Sequence, residues 1–252
     1  MKIALEISYI GTNYCGWQSQ NNNCSIAETI QNCYEQKLGE KIKLYASGRT
    51  DAGVHALCQV AHFETHLNIE PQKFSTILNT VLPIDIKIIQ SYKVDNSFHA
   101  RFDAKAKTYL YKLYTSQQDN PFLFERALKI PYYLDIKKMK KASKVFIGTH
   151  DFTSFCKTVS NDKDCTRTIY DIKIMQNGNN VDILIKGNGF LHNMVRIIVG
   201  SLIDVGSSKL TSKDVKELMT AKNRTLASKT MPPYALYLQN VEYWQYICYM
   251  LI

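Results

Sequence analysis

Ser47-Gly48-Arg49-Thr50-Asp51-Ala52-Gly53-Val54-His55-Ala56 separates two apolar stretches, at about 41–46 and 57–64, that read as strands. Two glycines five residues apart permit backbone angles that other residues avoid, so the segment is a loop and continues neither strand. Upstream of it lies a helix. Ser25 is its N-cap with Glu28 at capping-box spacing; Ile26, Ile30, Cys33, Tyr34 and Leu38 follow near helical spacing, and Gly39 stops it. Earlier still, Ile3, Leu5, Ile7 and Tyr9 alternate with Lys2, Glu6 and Ser8 as a first strand, before the polar, Gly- and Asn-containing stretch 11–23. Downstream come a helix from near Pro71 and an Ile-rich strand at about 85–92. The order is β-α-β-β-α-β.

The plan then starts over. A strand at about 104–115 puts Lys105, Lys107, Tyr109 and Tyr111 on one face and Ala104, Ala106, Thr108 and Leu110 on the other. A helix follows at about 135–146, and strands at about 168–175 and 181–186 are joined by the turn Asn177-Gly178-Asn179-Asn180. Helices at about 191–204 and 212–220 precede a last strand at about 235–243. The expected fold is α+β, with two related halves at 1–100 and 101–252.

At 252 residues, 45% of them hydrophobic, the chain is neither disordered nor fibrous in composition. Lys+Arg 31 against Asp+Glu 22 leaves a net charge of +9, which favours a polyanionic partner: nucleic acid first, an acidic membrane surface second. Seven cysteines without a C-x-x-C pair signal neither a zinc ribbon nor a disulfide framework, so reduced thiols are expected. Glu6 arrives before any apolar run fit for a signal peptide, and no stretch is long enough to span a membrane. A cytoplasmic protein is expected.

Candidate site residues each have a plainer reading. Arg49 and Asp51 place a guanidinium and a carboxylate on one glycine-framed loop; the alternative is a turn in which Asp51 only bonds nearby amides. The loop is no P-loop, since no Lys follows its second glycine. Tyr109, on a strand face with Lys105 and Lys107, offers a plane for a base beside charges for phosphate, or else belongs to a Tyr-rich sheet packed under a helix. Lys186-Gly187-Asn188-Gly189-Phe190-Leu191 only superficially follows an RNA-recognition pattern, because helical spacing follows it, and Gly187-x-Gly189-x-x-His192 lacks the third glycine of a dinucleotide fingerprint. Arg196 sits amid apolar helical residues and needs an anionic partner or a path to water. His62 and His66 lack a metal-binding helical context. The run Lys137-Lys138-Met139-Lys140-Lys141 reads as a solvated helix face, and the apolar tail after Tyr243, with Trp244, as core or subunit packing.

Together these segments resemble the tRNA pseudouridine synthase A (TruA) family. The resemblance rests on Gly11-Thr12-Asn13-Tyr14-Cys15-Gly16-Trp17-Gln18-Ser19-Gln20, on the loop Gly48 to Ala56, and on Asn79-x-x-Leu82-Pro83. It extends through Phe98-His99-Ala100-Arg101-Phe102, Tyr109-x-Tyr111, Gly148-Thr149-His150-Asp151-Phe152-Thr153-Ser154-Phe155, Arg167-Thr168-Ile169, and Gly189-Phe190-Leu191 with Met194-Val195-Arg196. It implies two ferredoxin-like βαββαβ halves forming a continuous, mainly antiparallel sheet with a central cleft, a homodimer, and neither cofactor nor metal. It implies tRNA as partner and isomerisation of uridines at positions 38, 39 and 40 of the anticodon stem-loop. By the same resemblance Asp51 is the catalytic aspartate, Arg49 helps displace the target base, Tyr109 stacks on it, Arg196 is the aspartate's basic partner, and Leu236 lines the uracil pocket. The chain departs from the family where Ile10 replaces an Asp, and where Met231-Pro232-Pro233-Tyr234-Ala235-Leu236 lacks the usual glycine before the leucine.

The chemistry suits these residue types. Pseudouridine formation breaks the bond from ribose C1′ to uracil N1, turns the base, and joins C1′ to C5. An ionised carboxylate could attack as a nucleophile or remove a ribose proton to give a glycal, and both routes stay open. A neighbouring arginine would keep a buried carboxylate charged. A reading of another class, a non-catalytic RNA-binding or RNA-chaperone module, would use the Tyr109 and lysine face alone.

Overall fold

The computed structural model describes residues 1–18, 24–157 and 164–243. Ser19 and Gln20 of the first motif and the tail with Trp244 lie outside the described residues. The chain forms two compact units: Met1–Lys105 together with the strand from Tyr237, and Ala106–Leu236.

In the first unit β1 (Lys2–Tyr9), α1 (Ile26–Leu38), β2 (Tyr45–Ala46), β3 (His55–Glu64), α2 (Lys73–Asn79) and β4 (Ile86–Lys93) follow the expected βαββαβ order. The strands run β4-β1-β3, antiparallel throughout, with Ile3 opposite Phe63 and Lys93, and Leu5 opposite Ala61 and Ser91. One face carries Phe63 against Tyr34 and Phe74, ring centroids 5.2 and 5.6 Å away. These fully buried rings each contribute about 1.5–3 kcal/mol of transfer free energy. The Ser25 hydroxyl accepts from Glu28 N–H, and Gly39 ends α1 at φ 73, as the capping pattern predicts.

One detail differs from expectation. The strand expected at 41–46 pairs only at Tyr45–Ala46, because a side chain of α1 takes the preceding donor: Leu44 N–H bonds Gln31 Oε1 at 2.9 Å. Lys2, one of the polar residues that alternate along β1, is buried. Its ammonium donates to the carbonyls of Asn96 (2.6 Å) and Phe98 (3.0 Å), so the segment after β4 is folded over it.

The second unit contains β5 (Ala106–Thr115), β6 (Leu128–Ile130), α3 (Ile136–Ser143), β7 (Gly148–Asp151), β8 (Thr166–Asn177), β9 (Asn180–Gly187), α4 (Met194–Gly206) and α5 (Ser212–Ala221). Its main strands run β5-β9-β8-β7, all antiparallel, while β6 adds a short parallel partner to β5. The β8–β9 hairpin turns at Gly178, φ 57, as its Asn-Gly sequence predicts. Neither β6 nor β7 stands out in the sequence, since three or four residues are too short to show a period. The basic face of α3 is exposed around its buried Met139.

β10 (Leu236–Glu242) closes the order. The expected second half, 101–252, includes this strand, yet it pairs in parallel with β3, Tyr237 opposite His55 and Leu238 opposite Ala56. Pairing and not sequence order assigns it to the first unit, and Ala100 is held there too: Tyr243 Oη donates to its carbonyl at 2.6 Å. No helix among the described residues is long and apolar enough to cross a membrane.

Candidate active site

Asp51 lies on the β2–β3 connection of the first unit, half-buried, with Arg49 exposed beside it. The connection is fixed from several directions. At its start the Ser47 hydroxyl donates to Gln59 Oε1 (2.7 Å), and Gln59 Nε2 donates to the Gly48 carbonyl (2.9 Å). In its middle the hydroxyls of Thr50 and Tyr9 are 2.8 Å apart, both buried. At its end Val54 N–H bonds the Asp51 carbonyl at 3.1 Å, closing a turn, and Gly53 has φ 76. A turn forms here through the backbone carbonyl of Asp51.

The first motif holds this loop. Trp17 N–H donates to the Thr50 carbonyl (3.1 Å), Gly53 N–H to the Tyr14 carbonyl (3.3 Å), and Gly11 N–H to His55 Nδ1 (2.9 Å). His55 is buried, so this bond fixes its Nδ1 as the unprotonated nitrogen. The approach needs glycine. A Cβ on Gly11 would stand 2.0 Å from the Val54 carbonyl oxygen, and one on Gly16, whose φ is 101, would stand 2.5 Å from that of Thr50. The motif is therefore tied at both ends, since Gly16 and Trp17 carbonyls also accept from Ile26 and Ala27 N–H at the start of α1. Ile10 is partly exposed and joins the frame through its backbone, donating to the Asp85 carbonyl at 2.9 Å.

Tyr109, Arg196 and Leu236 belong to the second unit. Tyr109 is half-buried on β5 with its ring edge-on to Phe190, centroids 5.1 Å apart and planes at 84°. Tyr111, on the same strand face, is fully buried and donates to the Pro232 carbonyl (2.9 Å). Burial raises its phenol well above the usual range.

α4 is buried at every residue but Arg196 and Asp204. Arg196 Nε donates to the Met231 carbonyl (2.5 Å) and Nη1 to Asn193 Oδ1 (2.8 Å), while Met231 N–H returns to the Arg196 carbonyl (3.3 Å). These bonds orient the guanidinium with neutral acceptors. Asn193 stands at φ 61, which starts α4 three residues later than expected. Segment 231–235 thus bonds both Arg196 and Tyr111, and leads into the buried Leu236. Ala235, where the family's glycine is missing, is not among the positive-φ residues, so the departure brings no backbone strain.

The framing role of Tyr9, Thr50, Gln59 and His55 is not visible in the sequence, because each acts across residues far apart in the chain. Among the described residues no group of three or more His, Cys, Asp or Glu could hold a metal ion.

A family model described as tRNA pseudouridine synthase matches residues 6–103 and 142–244. The tRNA pseudouridine synthase A of Bacillus pumilus (strain SAFR-032) is 42% identical over 245 residues, covering 96% of this chain and 99% of that protein. The enzyme of the same name from Caldicellulosiruptor bescii is 43% identical over 241 residues, with the same coverage. Among solved structures, the archaeal box H/ACA sRNP Nop10-Cbf5 complex aligns over 80% of this chain and 43% of that one, at 11% identity and a TM-score of 0.36.

Proposed function

The chain belongs to the tRNA pseudouridine synthase family, and from that premise we propose that it isomerises uridine to pseudouridine in tRNA with Asp51 as the catalytic carboxylate. The observation that carries the reading is the glycine-framed loop, whose backbone is bonded at Gly48, Thr50, Asp51 and Gly53 while the Asp51 side chain is left half-buried. A carboxylate that must meet ribose C1′ gains most from such preorganisation, because misplacement by about 1 Å can cost on the order of 100-fold in rate.

The remaining roles follow the chemistry. Arg49, exposed, fills the space left when the target uridine unstacks; Tyr109 stacks on the extracted base and offsets a few kcal/mol of unstacking. Arg196 serves as the aspartate's basic partner, as the family resemblance has it, and Leu236 gives the uracil an apolar wall while it turns. Hydrogen leaves C5 as C1′ joins it, and N1 gains a proton, so the step is an isomerisation with no co-reactant. The substrate uridines are those at positions 38, 39 and 40. The enzyme acts as a homodimer in the cytoplasm, which light scattering and cell fractionation check.

Asp51→Asn tests the central assignment. Expected is loss of tritium release from C5-labelled uridine in unmodified tRNA, with binding within a few fold of wild type. Wild-type turnover by this variant refutes the role.

A further inference from the structure

The segment after β4 builds a second feature that the isomerisation does not use. Phe102 is 72% exposed and Tyr45 41% exposed. They are the outer members of one ring cluster. Phe102 lies 4.3 Å from His99, His99 lies 4.8 Å from His62 and 5.8 Å from Tyr45, and Tyr45 stacks on His62 at 5.2 Å. Each exposed ring has a cation over it: Arg101 Cζ is 5.8 Å from the Phe102 centroid and Lys43 Nζ 5.3 Å from that of Tyr45.

The cluster is held rigidly. His62 Nδ1 accepts from Ala100 N–H at 3.1 Å, His99 Nδ1 from Arg101 N–H at 3.1 Å, and Asp103 Oδ2 from His99 N–H at 2.6 Å. Tyr243 and Lys2 take the carbonyls of Ala100 and Phe98. A loop anchored this often loses little entropy when a ligand settles on it.

We propose that Phe102 and Tyr45, with Arg101 and Lys43 over them, form a docking shelf for an unpaired nucleotide of the RNA, at the β2 end of the Asp51 loop and distinct from the Asp51 carboxylate. Flat apolar rings at the surface suit a nucleobase, which stacks on aromatic side chains with little regard to sequence, while the flanking cations suit its phosphates. Single-stranded nucleotides are the part of an RNA most open to such contact. His62 stands seven residues along β3 from His55, roughly 23 Å, while Tyr45 lies two residues before Ser47, so the shelf adjoins the β2 end of the loop and would hold the RNA beside it. This inference rests on the partner being RNA, as the proposed function has it.

The test uses the full chain and an unmodified tRNA transcript. Phe102→Trp keeps a stacking ring and reports on it: its added emission, read against wild type, is expected to change as the RNA saturates, with Kd near wild type. Phe102→Ala with Tyr45→Ala is expected to raise Kd by about 10- to 100-fold, and Arg101→Ala to shallow the dependence of log Kd on log salt by about one unit. Melting of each variant near the wild-type temperature shows that the fold is kept. Added emission that stays unchanged at saturation in Phe102→Trp, or a double variant that binds as wild type does, overturns the shelf. These outcomes are read from binding, so they stand whether or not Asp51→Asn abolishes turnover.

Discussion

Gly16 and Thr50 touch backbone to backbone: a Cβ added at Gly16 would stand 2.5 Å from the Thr50 carbonyl oxygen, the same oxygen that accepts from Trp17 N–H. Residues 11–17 of the first motif and the Asp51 loop are therefore tied together, and residue 51 takes its position from residue 16. Gly16→Ala also meets a backbone at φ 101 that side chains rarely adopt. We expect pseudouridine formation to fall by about 100-fold as the loop shifts. Tritium release at saturating tRNA, together with a thermal melt that shows a folded protein, checks this.

Tyr9→Phe isolates a smaller part of the same frame. Removing the phenol leaves the buried Thr50 hydroxyl without its 2.8 Å partner, at a cost of about 1–2 kcal/mol. The urea midpoint should drop accordingly with an unchanged m-value, which reports stability without a change in compactness.

His62 sets an acid limit for the first unit. Burial, with the neighbouring charges of His99 and Lys2 adding to it, pulls its pKa down to about 4 from 6.5. The unfolded chain then binds more protons between those values, so stability is complete above pH 6.5 and is lost as pH falls toward 4, by at most about 3 kcal/mol. Urea titrations across that range check the slope, which should shrink in His62→Gln. A slope unaltered by that substitution rules the residue out as its source.

Arg196→Lys keeps the charge but loses the geometry. A lysine cannot bond both the Met231 carbonyl and Asn193 Oδ1 from a fixed plane, so the cation should wander. The expected result is a drop in kcat of about 100-fold or more, with a smaller change in tRNA affinity. Single-turnover rates and filter binding separate the two.

Ala235→Gly restores the residue that the family pattern has before Leu236. Because Ala235 is buried at an ordinary φ, the glycine should give no gain in rate and should cost about 0.5–1 kcal/mol through the freer unfolded chain. Parallel melts and turnover measurements decide it.

Much of this architecture was legible in the sequence, for reasons that differ by element. α1 announced itself because Ser25, Glu28 and Gly39 act through neighbours within a turn. The glycine-framed loop was readable because Gly53 and the turn around Asp51 are local. What stayed hidden was long-range. Nothing near Tyr237 says that it will lie beside His55, nothing near Lys2 says that carbonyls of the 96–98 segment will close over it, and Arg196 gave no sign that neutral acceptors would hold it. The ring cluster around His99 was hidden likewise, since its members come from β2, β3 and the segment after β4.

The parallel pairing of β10 with β3 has a consequence for how the chain acquires its shape. His55 and Ala56 follow the Asp51 loop directly, yet their β10 partners, Tyr237 and Leu238, emerge from the ribosome 182 residues later. Until then the edge of β3 beside the loop offers unpaired backbone groups, of the kind that invites pairing with other chains. Closing so long a loop is slow and comes last. The first unit to be synthesised is thus completed only when the strand that follows residue 236 has joined it.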